Sequence, residues 1–276
     1  MRAVLVAHWR IAHSLNSPNA FRHNHDREIP MTKWILILTL IVALHPVSAP
    51  AVDGVVEINQ ACATSGCFAG DSAGLPVEIG GAAGRSYRLT SDVVVPDHST
   101  HGISITTHDV RIDLNGFSII GTACVGATSS ACRPVTPGSG KGIIVLDPLN
   151  TPGTWVSNGS VVGMGSEGVD VGVSSRVTDI GARWNGANGI ETSGDSTASR
   201  CKATENGNMG FSVQDGGLVE DSTAFGNVGF GLSLFSGAGY RGNVISGNTA
   251  GTVGNGGGGG GVNAGGNVCN GSTTCP

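Results

Sequence analysis

Asn185, Asn206, Asn227 and Asn248 stand 21 residues apart in a chain of 276, and this repeat constrains the fold more than any other feature. Ala182, Ala203, Ala224 and Ile245 keep the same step, as do Gly168, Gly189, Gly210 and Gly231. Three columns in one register with a period near ~20 residues signal a solenoid. After each glycine, apolar and polar residues alternate: Gly168-Val-Asp-Val, Gly189-Ile-Glu-Thr, Gly210-Phe-Ser-Val and Gly231-Leu-Ser-Leu. That is the period of a strand. Val169, Ile190, Phe211 and Leu232 are expected to point inward, and Asp170, Glu191, Ser212 and Ser233 outward.

A unit this short leaves no room for a pair of helices, and the leucine-rich pattern LxxLxLxxN is absent. Short strands joined by Gly/Asn turns fit one coil of a parallel β-helix. Composition agrees: glycine supplies 46 residues, and each costs about 1 kcal/mol in a helix interior. Coils stack about 4.8 Å apart, so the four asparagines read as a ladder of amides buried at a turn. Upstream the repeat loosens through Gly102-Ile-Ser-Ile, Arg111 to Gly121, Gly142-Ile-Ile-Val and Trp155 to Gly163. The insertions holding Cys124/Cys132 and Pro148 to Pro152 are expected as loops on one side. The fold class predicted is all-β, a right-handed parallel β-helix of roughly seven coils, with the helix proper at 101–252.

Met31-Thr-Lys-Trp followed by the apolar run Ile35 to Leu44 and then small residues has the order of a secretory signal peptide. The run is far shorter than the ~20 apolar residues of a membrane helix. Cleavage after Ala51 avoids a proline just past the cut, so the signal is placed at 31–51. Residues 1–30 show no periodic pattern and read either as an upstream extension, with Met31 the true start, or as a long leading region. The expected location is secreted, periplasmic or cell-surface, with no membrane span after cleavage.

Five of the 15 Lys/Arg and two of the 20 Asp/Glu fall within residues 1–51, so ten basic residues face eighteen acidic ones in the rest. Nucleic-acid binding needs clustered Lys/Arg, and no basic stripe exists here, so that partner class is excluded. All seven cysteines follow residue 51, six of them in close pairs: Cys62/Cys67, Cys124/Cys132 and Cys269/Cys275. In an exported chain such pairs read as three local disulfides with Cys201 left over. Zinc is the rival reading, but no CxxC spacing and no neighbouring histidine supports it.

Asp113-Leu-Asn-Gly-Phe-Ser-Ile-Ile-Gly121 and the Asn-Gly-x-x-Gly-apolar turns at Asn185 to Ile190 and Asn206 to Phe211 resemble secreted right-handed parallel β-helix proteins of the pectate-lyase-like superfamily. The resemblance covers residues 85–250. It implies an N-terminal cap with the first strands over 52–100, and a Gly-rich segment over 253–276 closed by Cys269 and Cys275. The run Gly256 to Gly261 has no side chains to pack and is expected to be mobile. Members of that superfamily cleave or epimerise acidic polysaccharides, while many have no known activity, so the fold alone decides little.

Asp170 and Glu191 share one outward column on adjacent coils and are the candidate catalytic pair, able to share a proton or hold Ca²⁺. The competing reading is two solvated acids on a polar face. Superfamily lyases also need a Lys or Arg base on that face, and the column downstream offers only Ser212 and Ser233. His98, His101 and His108 are candidate metal ligands, though His101 and His108 would have to meet across a turn. Asp179, Arg200 and Asp221 form a column of alternating charge read as structural. Trp155 and Trp184 are the two tryptophans past the signal, a sparse platform for sugar stacking. The function expected is a non-catalytic surface or glycan-binding protein, without a cofactor unless Ca²⁺ binds. The alternative is a lyase, epimerase or hydrolase working on polysaccharide along the outward face.

Overall fold

The computed structural model describes residues 54–81, 84–121, 124, 138–257 and 260–276. The leading residues 1–30, the signal segment and Cys132 lie outside them. Among the described residues the strands form two sheets, of eight and fifteen strands, and every ladder joining them is parallel. The eight-stranded sheet takes one strand from each successive coil. Its order is Val77–Ile79, Ile103–Ile105, Ile143–Val145, Val169–Val171, Ile190–Thr192, Phe211–Val213, Phe230–Leu234 and Gly251–Asn255.

The fifteen-stranded sheet is two strips side by side. One begins at Val55–Ile58 and Ser86–Leu89, and the other at Val93–Val95 and Ser118–Gly121; the long strands Trp155–Val162 and Arg176–Arg183 run through both and join them. A coil therefore offers three faces around one interior. The only α-helix among the described residues is the single turn and a half at Gln60–Ser65, capped where Asn59 Oδ1 accepts the Cys62 backbone N–H at 2.9 Å. None is long and apolar enough to cross a membrane.

The alternation in sequence becomes the core. Val169, Ile190, Phe211 and Leu232 pair in register, as do Val171, Thr192, Val213 and Leu234, and all eight are fully buried. Burial of a valine, isoleucine or leucine side chain is worth about 1.5–3 kcal/mol, and each coil repeats the gain.

The turns between faces are held by side chains. Asn185, Asn206 and Asn227 are buried, and each donates its side-chain amide to Oδ1 of the next asparagine, at 3.0, 2.9 and 2.8 Å. The same oxygens accept the backbone N–H groups of Asn185, Asn206 and Asn227. The glycine column follows from this ladder: a Cβ on Gly189 would stand 2.6 Å from Asn206 Nδ2 and 2.7 Å from the Gly210 carbonyl oxygen. A second ladder runs through Cys201, Ser222 and Asn243, where Ser222 Oγ accepts from Cys201 N–H and Asn243 Oδ1 from Ser222 N–H.

Disulfides Cys62–Cys67 and Cys269–Cys275 stand near the two ends of the described fold. Cys124 is disulfide-bonded, and its expected partner Cys132 lies outside the described residues. The C-terminal segment carries further strands on both sides of its glycine run, of which residues 258 and 259 lie outside the described ones. Gly251–Asn255, Val262–Asn263 and Val268–Cys269 continue the parallel ladders past residue 252. Between them a Cβ on Gly256 would fall 2.4 Å from the Phe235 ring, and one on Gly261 2.7 Å from Leu234 Cβ. Glycine is there because the backbone itself lies against those side chains.

Candidate functional site

Two columns on the eight-stranded sheet meet to make a polar cluster. One follows the strand centres through Ser104, Ile144, Asp170, Glu191, Ser212 and Ser233. The other stands three residues earlier, at the turn into each strand. Coil-to-coil backbone bonds from the following glycines set its order as His101, Lys141, Glu167 and Asn188. Lys141 Nζ lies 2.5 Å from Asp170 Oδ2 and 3.1 Å from Glu167 Oε2. Ser166 Oγ donates to Glu167 Oε2 at 2.7 Å, and Asn188 Nδ2 donates to Glu191 Oε2 at 2.8 Å.

These groups are largely withdrawn from water. The side chains of Lys141, Glu167 and Asp170 keep 22, 13 and 15% of their exposure, and Ser104, Ser212 and Ser233 in the same column are buried. Asp170 and Glu191 are therefore not two free acids on a wet polar face. Three carboxyl groups confront one ammonium, and burial penalises the surplus negative charge. Burial pushes Asp170 above the usual carboxylate range against the bond and charge of Lys141, with the charge of Glu167 adding to the rise. Burial likewise raises Glu191, opposed by the Asn188 bond.

Burial works against the charge of Glu167 too, but the Ser166 bond and the Lys141 charge outweigh it and hold its pKa low. For Lys141 burial is again the largest influence, and it disfavours the charged amine. The bonds and charges of Asp170 and Glu167 exceed it, so the amine's pKa is raised. His101 closes the upper end: its Nδ1 accepts the Lys141 backbone N–H at 3.0 Å. Burial, with Lys141 nearby, keeps its pKa low. A neutral ring that accepts at Nδ1 carries its proton on Nε2, so no lone pair remains to act as a base.

A second feature stands on the first strip of the large sheet, where Arg111, Trp155 and Arg176 occupy one column on successive coils. The guanidinium carbons of Arg111 and Arg176 lie 4.3 and 5.0 Å from the Trp155 ring centroid. Trp155 is 40% exposed. Among the described residues neither arginine forms an ion pair. Two adjoining grooves, of about 340 and 250 Å³, are both lined by Ser86, Arg111 and Trp155. Ring contact holds the two guanidinium groups without neutralising them, so their N–H edges stay available to an anion.

Of the other candidates, His101 belongs to the polar cluster, and Asp109 beside His108 lines the groove of about 340 Å³. Among the described residues no three His, Cys, Asp or Glu side chains, those of His98, His101 and His108 included, are arranged to hold a metal ion. His108 Nδ1 instead meets Asp109 Oδ2 at 2.8 Å on the surface. Asp179 accepts two bonds from the Arg200 guanidinium, at 2.9 and 2.7 Å. Trp184 donates its indole N–H to Glu205 at 2.6 Å beneath Arg183. Cys201 is free and buried, and burial pushes its thiol up to about 12.

Compared with protein families, curated proteins and solved structures, the chain matches none.

Proposed function

We propose that this protein is an exported, non-catalytic parallel β-helix that binds an acidic glycan on its first strip through Arg111, Trp155 and Arg176. The observation that carries the reading is the pair of guanidinium groups held against Trp155 from the coils on its two sides, without carboxylate partners among the described residues. Such a bracket suits carboxylates or sulfates spaced along an extended chain. The finer architecture belongs to this proposal as well: a right-handed winding, as parallel crossovers favour, and kinship with the pectate-lyase-like superfamily. Export fits the disulfides at both ends.

An enzyme acting at Asp170 and Glu191 is the weaker reading. Lys141 does stand beside Asp170, but its amine is committed to two carboxylates and is a poor base at neutral pH. Ca²⁺ prefers six to eight oxygen ligands, and Asp170 already serves the lysine.

The test is a panel of immobilised acidic and neutral polysaccharides probed with the purified chain from residue 52 onward. Retention on the acidic members alone, without release of unsaturated uronate, supports the proposal. Retention on neutral glycans only, or steady release of product, refutes it.

A further inference from the structure

The geometry points to an internal amide cross-link between Lys141 and Asp170, formed by the folded chain itself with Glu167 relaying the protons. Three observations carry it. The amine nitrogen is 2.5 Å from a carboxyl oxygen of Asp170, a separation at which reaction needs only reorientation within the contact. A second carboxylate, Glu167, stands 3.1 Å from the same nitrogen. All three side chains are largely withdrawn from water, which lowers the cost of converting the ion pair into neutral amine and neutral acid by one proton transfer.

The step balances without any added reagent. In the neutral pair the Lys141 Nζ lone pair attacks Cγ of Asp170, forming the C–N bond and a tetrahedral centre. Glu167 takes a proton from the nitrogen and returns it to a hydroxyl on that centre. The C–O bond then breaks and water leaves; nothing is oxidised or reduced. Burial favours the protonated form of Asp170 and Glu167 is held as the carboxylate, while the two carboxyl groups that raise Lys141 oppose the neutral amine, so the geometry carries the step and the charges slow it. Fixing the partners in one site replaces an encounter in solution by a high effective concentration.

The position also suits a tie. Asp170 pairs with Ile144 on the preceding coil, and the two reacting residues are 29 apart in sequence, enclosing the Pro148 to Pro152 insertion. The asparagine ladder reaches only one rung further up, where Met164 N–H donates to Asn185 Oδ1. A Lys141–Asp170 amide would clamp two coils where the ladder gives out, at the place where the 21-residue step is interrupted.

Intact mass of the folded chain, with disulfides reduced, decides it. The expected mass is one water below that of the sequence, and trypsin releases the single stretch from residue 112 to Arg176, uncut after Lys141 and one water light, because Arg133 precedes a proline and no other Lys or Arg stands between Lys141 and Arg176. Lys141→Arg and Asp170→Ala should each restore the full mass. Glu167→Gln should accumulate folded chain, with unchanged circular dichroism, at full mass. A wild-type chain at full mass and cut after Lys141 overturns the proposal. So does a water deficit that persists in Lys141→Arg, because the loss then arises elsewhere, for example at Asp215-Gly216.

Discussion

Oδ1 of Asn227 takes two hydrogen bonds from Asn206 on the preceding coil, one from its backbone N–H at 3.0 Å and one from its side-chain amide at 2.9 Å. Asn206 Nδ2 also reaches the Ala182 carbonyl at 3.1 Å, and its own Oδ1 accepts from Asn185. One side chain thus satisfies two backbone groups of the preceding coil and is tied to the asparagine side chain of the next, at a position with no access to water.

Asn206→Leu should therefore be severe. It leaves the Asn185 N–H and the Ala182 carbonyl without their partner and strips the Asn185 amide of one of its two bonds, and each unpaired buried group costs about 1–3 kcal/mol. A loss of about 3 kcal/mol or more in denaturant unfolding is expected. An unchanged midpoint would contradict the ladder's role in stability.

Glu191 gives the fold a pH dependence of defined sign. Burial raises its pKa in the folded chain, so the native state holds the proton more tightly than the unfolded state, whose glutamates titrate near ~4.3. The stability this contributes is fully present below the unfolded value and is lost as pH rises through the folded one. Glu191→Gln keeps an acceptor for Asn188 and removes the titration. The variant should gain on the wild type in urea midpoint as pH rises from about 4 towards neutrality. A constant difference across that range would contradict the assignment.

Cys201 should be chemically silent while the chain is folded. Its thiol is buried and pushed up to about 12, so the reactive thiolate is scarce at neutral pH. A thiol reagent should label it only after denaturant is added. Rapid labelling of the native protein would show that the ladder position of Cys201 opens.

The solenoid was legible because its period survives intact from Gly168 onward, where Val169, Ile190, Phe211 and Leu232 repeat both step and polarity. The polar cluster was only half legible. Asp170 and Glu191 lie within the regular repeat, but Lys141 lies above the Pro148 to Pro152 insertion, which shifts its column out of the 21-residue step. The missing signal was the glycine after each turn: Gly142, like Gly168, opens an apolar strand, so Lys141 aligns with Glu167. Arg111, Trp155 and Arg176 were hidden in the same way, although each begins an identical short pattern of outward, apolar and polar residues. In the glycine run an absent side chain also permits close approach to a neighbour's ring, as Gly256 makes to Phe235, a contact that composition alone does not reveal.

The most direct test of the account is calorimetric titration of an oligogalacturonate into the chain from residue 52 onward, compared with its Arg111→Gln/Arg176→Gln double variant. Two charge-assisted contacts of about 1.5–3 kcal/mol each should be lost together, weakening binding about a hundredfold or more while leaving the unfolding midpoint unchanged, and added salt should weaken the wild type. Equal affinity in wild type and double variant, or no binding of any acidic oligosaccharide, would contradict the assignment of the Arg111–Trp155–Arg176 column as the glycan site.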